Sequence, residues 1–415
     1  MAEFESGIER TVLDNGVRVL TETVPSVRSV AVGAWVNAGS RDETATENGI
    51  THFIEHMVFK GTRRRRGYLI NQRMESVGGY LNAFTAKEHT CFYARGLDEH
   101  LGRALDTVLD LVTDATLPAR EIEKEKDVVV EEIKMYEDAP EDYVFDLYDE
   151  VVYPDHPLGR PVIGTPETVR SFTQSDLEDY IGRHYVPNRL VVAVAGRARH
   201  TDVVRRVEAL LAEFDRDPHE LDRTPAGGYR ARTVERSTPA QQAHLVLGTR
   251  AFGALDPRRP ALSVLNTILG GGMSSRLNQN IREKYGWCYS VYSFVNQQAE
   301  SGDVGVYIGT DASRVDRSRQ LIQRELDRVA SAPVSARMLK QAKQQLKGSV
   351  VMGLESTSNR MQRLGRVELM YDALVPIDEA IEEIDAVSAE DVRSVAETLF
   401  GPDRMSAVVL LPAAV

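Results

Sequence analysis

The chain reads as α+β: two homologous α/β-roll domains in tandem, each an antiparallel-rich sheet flanked by helices. Three observations predict this. Strand-like runs alternate with helix-like runs along the whole chain. The sequence resembles itself at a constant offset of 215 residues. A chain of 415 residues with 42% hydrophobic content can bury a core in each of two domains.

Taken in order, residues 11–22 predict a hairpin around Asp14-Asn15-Gly16, and residues 29–38 a strand. A helix follows near 68–77, then paired strands at 80–85 and 89–95, and long helices at 97–113 and 120–138. Residues 141–148 read as a further helix. The repeat is clearest where Thr173-Gln174-Ser175-Asp176-Leu177 matches Ser388-Ala389-Glu390-Asp391-Val392, each an N-cap signal opening an amphipathic helix. At the same offset His184-Tyr185-Val186-Pro187-Asn188-Arg189-Leu190 matches Leu399-Phe400-Gly401-Pro402-Asp403-Arg404-Met405, and both copies run into β-rich segments at 191–195 and 406–410. In the second half, 244–249, 289–294 and 303–309 read as strands, with long helices between 315 and 332 and through Lys340. The polar, Pro- and Gly-containing stretch 215–229 is the seam, giving a domain at 1–215, a linker at 216–229 and a second domain at 230–415.

Composition narrows the function. A net charge of −12 argues against a general nucleic-acid binder, which needs a basic surface. The one basic block, Arg63-Arg64-Arg65-Arg66, reads as a solvated loop. Cys91 and Cys288 make neither a disulfide framework nor a zinc cage, and both read as buried thiols. The acidic run Met1-Ala2-Glu3-Phe4-Glu5 lacks an apolar signal core and an Arg-rich presequence, and no uncharged run is long enough to span a bilayer. A cytoplasmic protein, or a mature form, with no membrane partner is the expectation.

His52-Phe53-Ile54-Glu55-His56 carries the chemistry. On a helix, positions four apart stand on one face, so both imidazoles can converge on one metal with Glu55 beside it. Neutral imidazole suits Zn²⁺, and catalytic zinc takes three protein ligands plus water, from which Glu55 could remove a proton. Two structural histidines on a helix would give the same pattern, so a third ligand decides. The repeat offset carries the motif onto Thr267, Gly270 and Gly271, in a neighbourhood without His; the second half is therefore a degenerate copy that binds no metal this way. Residues 121–133 form an acidic helix on which Glu125 and Glu132, seven apart, share a face, as they would on a solvated charged face.

The run Gly49-Ile50-Thr51-His52-Phe53-Ile54-Glu55-His56-Met57-Val58-Phe59-Lys60-Gly61-Thr62 closely resembles the pitrilysin-type inverzincin family, in particular the short-chain branch of the mitochondrial processing peptidase β-subunit. The likeness extends over nearly the whole chain, through Leu81-Asn82-Ala83-Phe84-Thr85, the loop from His156 to Thr165, Tyr185 to Gly196 and Ser274 to Ser290. It implies a zinc-dependent endopeptidase with one Zn²⁺ per chain, held by His52, His56 and a Glu 76 residues after the second His, which is Glu132. The accessory Glu lies seven earlier, at Glu125, as a partner to a ligating imidazole. Residues 81–85 would be an open edge to which extended substrate adds as a strand, though a core hairpin reads alike. Arg282 and Tyr289 match an Arg and a Tyr that stabilise the developing oxyanion; outside the family Arg282 reads as a surface helix residue and Tyr289 as a core strand residue. Cys288 departs from the small apolar residue expected before that Tyr. Asp142 and Asp146 fall where acids read an Arg near the cleavage point. The expected assembly is a homodimer, or a heterodimer with a related subunit, that completes a peptide chamber. The competing reading is a non-catalytic peptide-binding or core subunit of the same family.

Overall fold

The computed structural model describes residues 7–413 except 219 and 222; the acidic run Met1 to Glu5 lies outside the described residues. The chain divides into two compact units. The first comprises Met1–Ile133, Pro161–Arg223 and Gly353–Leu374; the second comprises Lys134–Arg160, Thr224–Met352 and Val375–Val415.

Among the described residues the first unit holds six strands, β1 (Gly7–Val12), β2 (Arg18–Thr23), β3 (Ser29–Val36), β4 (Tyr80–Thr85), β5 (Thr90–Leu97) and β6 (Leu190–Gly196). They lie in the order β1-β2-β6-β3-β5-β4, all neighbours antiparallel except the parallel pair β2/β6. β3 is buried on both faces, which its sequence Ser-Val-Ala-Val-Gly-Ala-Trp-Val supports. Val30, Val32, Ala34 and Val36 join the core under the helices, while Ala31 and Trp35 point the other way. That second face is covered by the helix Thr357–Tyr371, whose Met361 Sδ lies 3.4 Å from Trp35 Nε1. Glu368, fully buried, fixes this helix by accepting from Arg10 at 2.8 Å.

The second unit holds β7 (Thr233–Thr238), β8 (Ala243–Phe252), β9 (Cys288–Gln297), β10 (Ser301–Thr310) and β11 (Ser406–Pro412) among the described residues. Their order is β7-β11-β8-β10-β9, with β7/β11 parallel and the rest antiparallel. This reproduces the order β2-β6-β3-β5-β4, so the internal repeat is visible as topology. Its local marks match as well: Thr173 and Ser388 each cap a helix by accepting from the backbone N–H three residues on, in a full capping box. β7 was not read from the sequence, because Thr-Val-Glu-Arg-Ser-Thr is a mostly exposed polar edge. The helix Pro140–Val152 belongs to this unit, where Val144, Leu147 and Tyr148 pack with Val246, Tyr307 and Val408.

The basic block is a loop with three of its four arginines exposed. Arg64 nevertheless donates to Asp110 at 2.7 Å and to Asp106 at 2.8 Å, and the half-buried Arg65 pairs with both aspartates. Asp110 is 1% exposed, so its charge needs these partners. Cys91 is buried, whereas Cys288, at the start of edge strand β9, is half-exposed. Among the described residues no helix is long and apolar enough to cross a membrane.

Candidate metal centre

The helix Ile50–Val58 buries Ile50, Phe53, Ile54, Met57 and Val58, a stripe at i, i+3, i+4, i+7 and i+8 that fixes its rotation. His52, Glu55 and His56 are left on the opposite, half-open side. The entry of the helix is fixed too. Gly49 takes a left-handed φ of 92°, and a Cβ there would meet Gly164 Cα at 2.6 Å, so only glycine fits the turn. Glu43, buried, accepts from Gly49 N (2.8 Å) and Thr51 N (3.0 Å), the otherwise unpaired donors of the helix start. Burial pushes the Glu43 carboxyl up to about 7 against these hydrogen bonds.

The helix Ala119–Glu137 buries Ile122, Val129, Val130 and Ile133, and Glu125 lies on that same buried stripe. Glu132 is one position off it and reaches both histidines. His56 Nε2 lies 3.4 Å from Glu132 Oε2, and His52 Nε2 4.0 Å from Glu132 Oε1. Among the described residues His52, His56 and Glu132 form the one group able to hold a metal ion, their ligand atoms all within 4.8 Å of one another. Tetrahedral zinc with bonds of about 2.0–2.2 Å sets its ligands roughly 3.3–3.6 Å apart, so the donors already stand near the spacing required. Nothing comparable occurs near Gly270 and Gly271, which end the helix Arg259–Gly270.

Glu125 is a partner of His56 and not of His52. Its Oε1 lies 2.9 Å from His56 Nδ1, and its Oε2 2.6 Å from Lys60 Nζ. This fixes the ring so that Nε2 faces Glu132. His52 Nδ1 is buried without a hydrogen-bond partner. Burial and the neighbouring His56 pull His52 down to about 4, so it is a neutral donor. Burial opposes protonation of His56 as well, but Glu125 and Glu132 outweigh it and lift His56 to about 9. Three carboxylates, Glu55, Glu125 and Glu132, thus surround two imidazoles with Lys60 as the paired cation; the remaining negative charge suits a divalent ion. The donor set therefore fits zinc.

Glu55 stands beside the imidazoles with its carboxyl raised by burial and partly restrained by Thr85, whose hydroxyl donates to Glu55 Oε2 at 2.7 Å. Thr85 ends β4, the open edge of the first sheet. Ala86 N donates to His89 O at 2.8 Å, and the register Thr85↔Thr90 then makes 84/91 and 82/93 the hydrogen-bonded pairs. Only Leu81, Ala83 and Thr85 consequently turn main-chain groups outward. Asn82 and Phe84 turn theirs toward β5. Asn82 instead caps the edge: its Oδ1 accepts from Ala83 N at 2.9 Å, and its Nδ2 donates to the Tyr80 hydroxyl at 2.7 Å. The Phe84 ring packs edge-on against Trp35 at 5.6 Å.

The other expected residues lie in the second unit. Arg282 sits in a π-helical turn, Asn278–Glu283, with its guanidinium 5.9 Å from the Tyr289 ring centre. Tyr289 is 86% exposed, so it is no core residue; it is the second residue of edge strand β9. Asp142 and Asp146 lie one turn apart on Pro140–Val152, the first exposed and the second half-buried. The sequence reading missed Lys60, Glu43 and the Thr85 hydroxyl. Lys60 was readable as the next position four beyond His56; the other two are contacts that no local spacing announces.

Residues 18–166 match the family model described as insulinase, peptidase family M16, and residues 171–346 match the peptidase M16 inactive domain. His52, His56 and Glu132 all fall in the first match. The chain is 40% identical over 402 residues to a Bacillus subtilis protein named uncharacterized zinc protease YmxG, covering 97% of this chain and 98% of that one. It is 32% identical over 400 residues to a probable mitochondrial-processing peptidase subunit beta of Arabidopsis thaliana, covering 93% and 75%. A crystal structure of a protease from Helicobacter pylori superposes with a TM-score of 0.92 at 20% identity, covering 98% and 100%.

The Glu125 contacts give a direct test. Glu125→Gln removes the charge shared by His56 and Lys60 and should weaken zinc binding roughly 10- to 100-fold, measured by competition with a chromophoric chelator. Unchanged affinity would show that the orienting bond is dispensable.

Proposed function

We propose that this chain, which belongs to the M16 peptidase family, is a zinc-dependent endopeptidase that hydrolyses extended or unfolded peptides inside a dimeric chamber. The observation that carries this reading is the convergence of His52, His56 and Glu132 within 4.8 Å, with the Glu55 carboxylate beside them. One ion per chain would be held by those three side chains in the domain at 1–215, while 230–415 is a degenerate repeat without metal. Zinc, when bound, supplies a Lewis acid that polarises a peptide carbonyl and acidifies water.

The remaining chemistry belongs to the chain's own residues. Glu55 accepts the proton from the attacking water and, as the conjugate acid, returns it to the leaving amine. Glu125 keeps the His56 ring turned so that Nε2 faces the site. The outward groups of Leu81, Ala83 and Thr85 offer main-chain hydrogen bonds to a substrate strand, which explains selection for extended peptide over folded protein. The Asn82 amide must turn aside to free Ala83 N–H for that strand. Arg282 and Tyr289, a cation and a phenol side by side, are suited to a developing oxyanion. In a homodimer Arg282 and Tyr289 of the partner subunit complete the site, and a related subunit could take the second place. Asp142 and Asp146, one turn apart on the helix Pro140–Val152, select an Arg near the cleavage point. We place the protein in the cytoplasm, as a peptide-processing enzyme without nucleic-acid or membrane partners.

A second reading, a non-catalytic peptide-binding or core subunit, draws on the inactive-domain description matched by residues 171–346. Hydrolysis separates the two. Wild type should cleave an unstructured peptide, lose that activity with a chelator and regain it with zinc; Glu55→Gln should bind zinc normally yet fall by about 100-fold or more in kcat. Binding without product in the zinc-loaded wild type would support the second reading. Mixing inactive Glu55→Gln with inactive Arg282→Ala should restore part of the activity, because each hybrid dimer then holds one complete site; no recovery would exclude a shared site. Asp142→Asn with Asp146→Asn should reduce the preference for Arg-containing over Arg-free peptides by about 1 kcal/mol or more, read as a ratio of kcat/KM values. An unchanged ratio removes these residues from specificity.

A further inference from the structure

Thr85 lies where the open edge strand meets Glu55, and its two roles there can be separated. Its main-chain groups belong to the outward set of β4, with the backbone N–H directed at the Glu55 carboxylate, and its hydroxyl donates to Glu55 Oε2 at 2.7 Å. A threonine hydroxyl carries one hydrogen, so that donation fixes which carboxylate oxygen the side chain engages. The β-branched side chain is stiff at χ1, and β4 is held to β5 from Tyr80↔Arg95 to Thr85↔Thr90, so the hydroxyl has little freedom to move away. The following turn is braced as well: Ser40 N donates to Ala86 O at 3.2 Å and Arg41 N to Lys87 O at 2.7 Å. Arg41 also pairs with the buried Glu88 on that turn.

We propose that Thr85 is a positioning residue for Glu55, a role that rests on the peptidase reading above. The hydroxyl holds the carboxylate in the rotamer that takes the water's proton, and it does so from the strand on which substrate registers. Base and substrate are thereby indexed to one rigid hairpin, so a peptide seated on Leu81 and Ala83 arrives at a fixed distance from the proton acceptor. A valine has nearly the same shape and lacks the hydroxyl; a serine keeps it.

The experiment compares wild type, Thr85→Val, Thr85→Ser, Glu55→Gln and the double variant Thr85→Val/Glu55→Gln on an unstructured fluorogenic peptide, with zinc content and a metal-free crystal structure of Thr85→Val. The expected result is a kcat lowered roughly 10- to 100-fold in Thr85→Val, the range typical of a lost orienting partner, with KM and zinc content unchanged. Thr85→Ser should recover most of it. Thr85→Val should cost nothing further once Glu55 is Gln, because the residue acts only through that carboxylate. The metal-free Thr85→Val structure should show Glu55 departing from its wild-type rotamer. Wild-type kcat in Thr85→Val, equal losses in Thr85→Val and Thr85→Ser, or an undiminished further loss in the double variant would each overturn the positioning role and leave the peptidase reading standing. A wild type without zinc-dependent cleavage would overturn both.

Discussion

The site depends on how the helix Ile50–Val58 is gripped. Its apolar stripe is wholly buried, so the helix cannot rotate without exposing side chains worth about 1.5–3 kcal/mol each. Its N-terminus is held by the buried carboxylate of Glu43 and by a turn that only Gly49 can make. With rotation and entry fixed, His52, Glu55 and His56 have no choice of direction. The acidic helix Ala119–Glu137 is fixed the same way by Ile122, Val129 and Ile133, which sets Glu125 and Glu132 at their stations. A long-range site is thus built from two local periodicities, each enforced by burial.

Electrostatics then explains why so much charge is tolerated in so small a space. Glu125 accepts from both His56 and Lys60, and Thr85 donates to Glu55; Glu132 shares its oxygens with the two imidazole nitrogens. Glu125 and Glu132 lift His56 to about 9 against its burial. The arrangement is poised for a positive charge near Glu132, and a divalent ion satisfies it more fully than one proton. Placing Glu125 on a buried helical stripe is costly for a carboxylate, and its pairs with His56 and Lys60 offset that cost.

Much of this was legible in the chain. The spacing of His52 and His56, the shared face of Glu125 and Glu132, and the repeat joining Thr173 to Ser388 are periodic features, and periodicity survives in sequence. What was not legible depended on tertiary neighbours. The sequence cannot say that Arg64 and Arg65 meet Asp106 and Asp110, since those pairs join residues far apart in the chain. Tyr289 looks like a core strand residue by composition and is exposed near the start of β9. The helix Thr357–Tyr371 belongs with the first sheet although it lies deep in the second half of the chain, a choice made by Trp35 and Met361. Likewise the pairing of Glu125 with His56 and not His52 joins two helices far apart in the chain, which no local spacing announces.

The central claim is that three side chains, His52, His56 and Glu132, hold one zinc ion. X-ray absorption spectroscopy of the zinc-loaded protein tests it most directly. The expected spectrum has a first shell of nitrogen and oxygen at about 2.0–2.2 Å with the outer-shell scattering of two imidazoles. A sulfur shell, the scattering of only one imidazole, or failure to retain zinc at all would contradict the account.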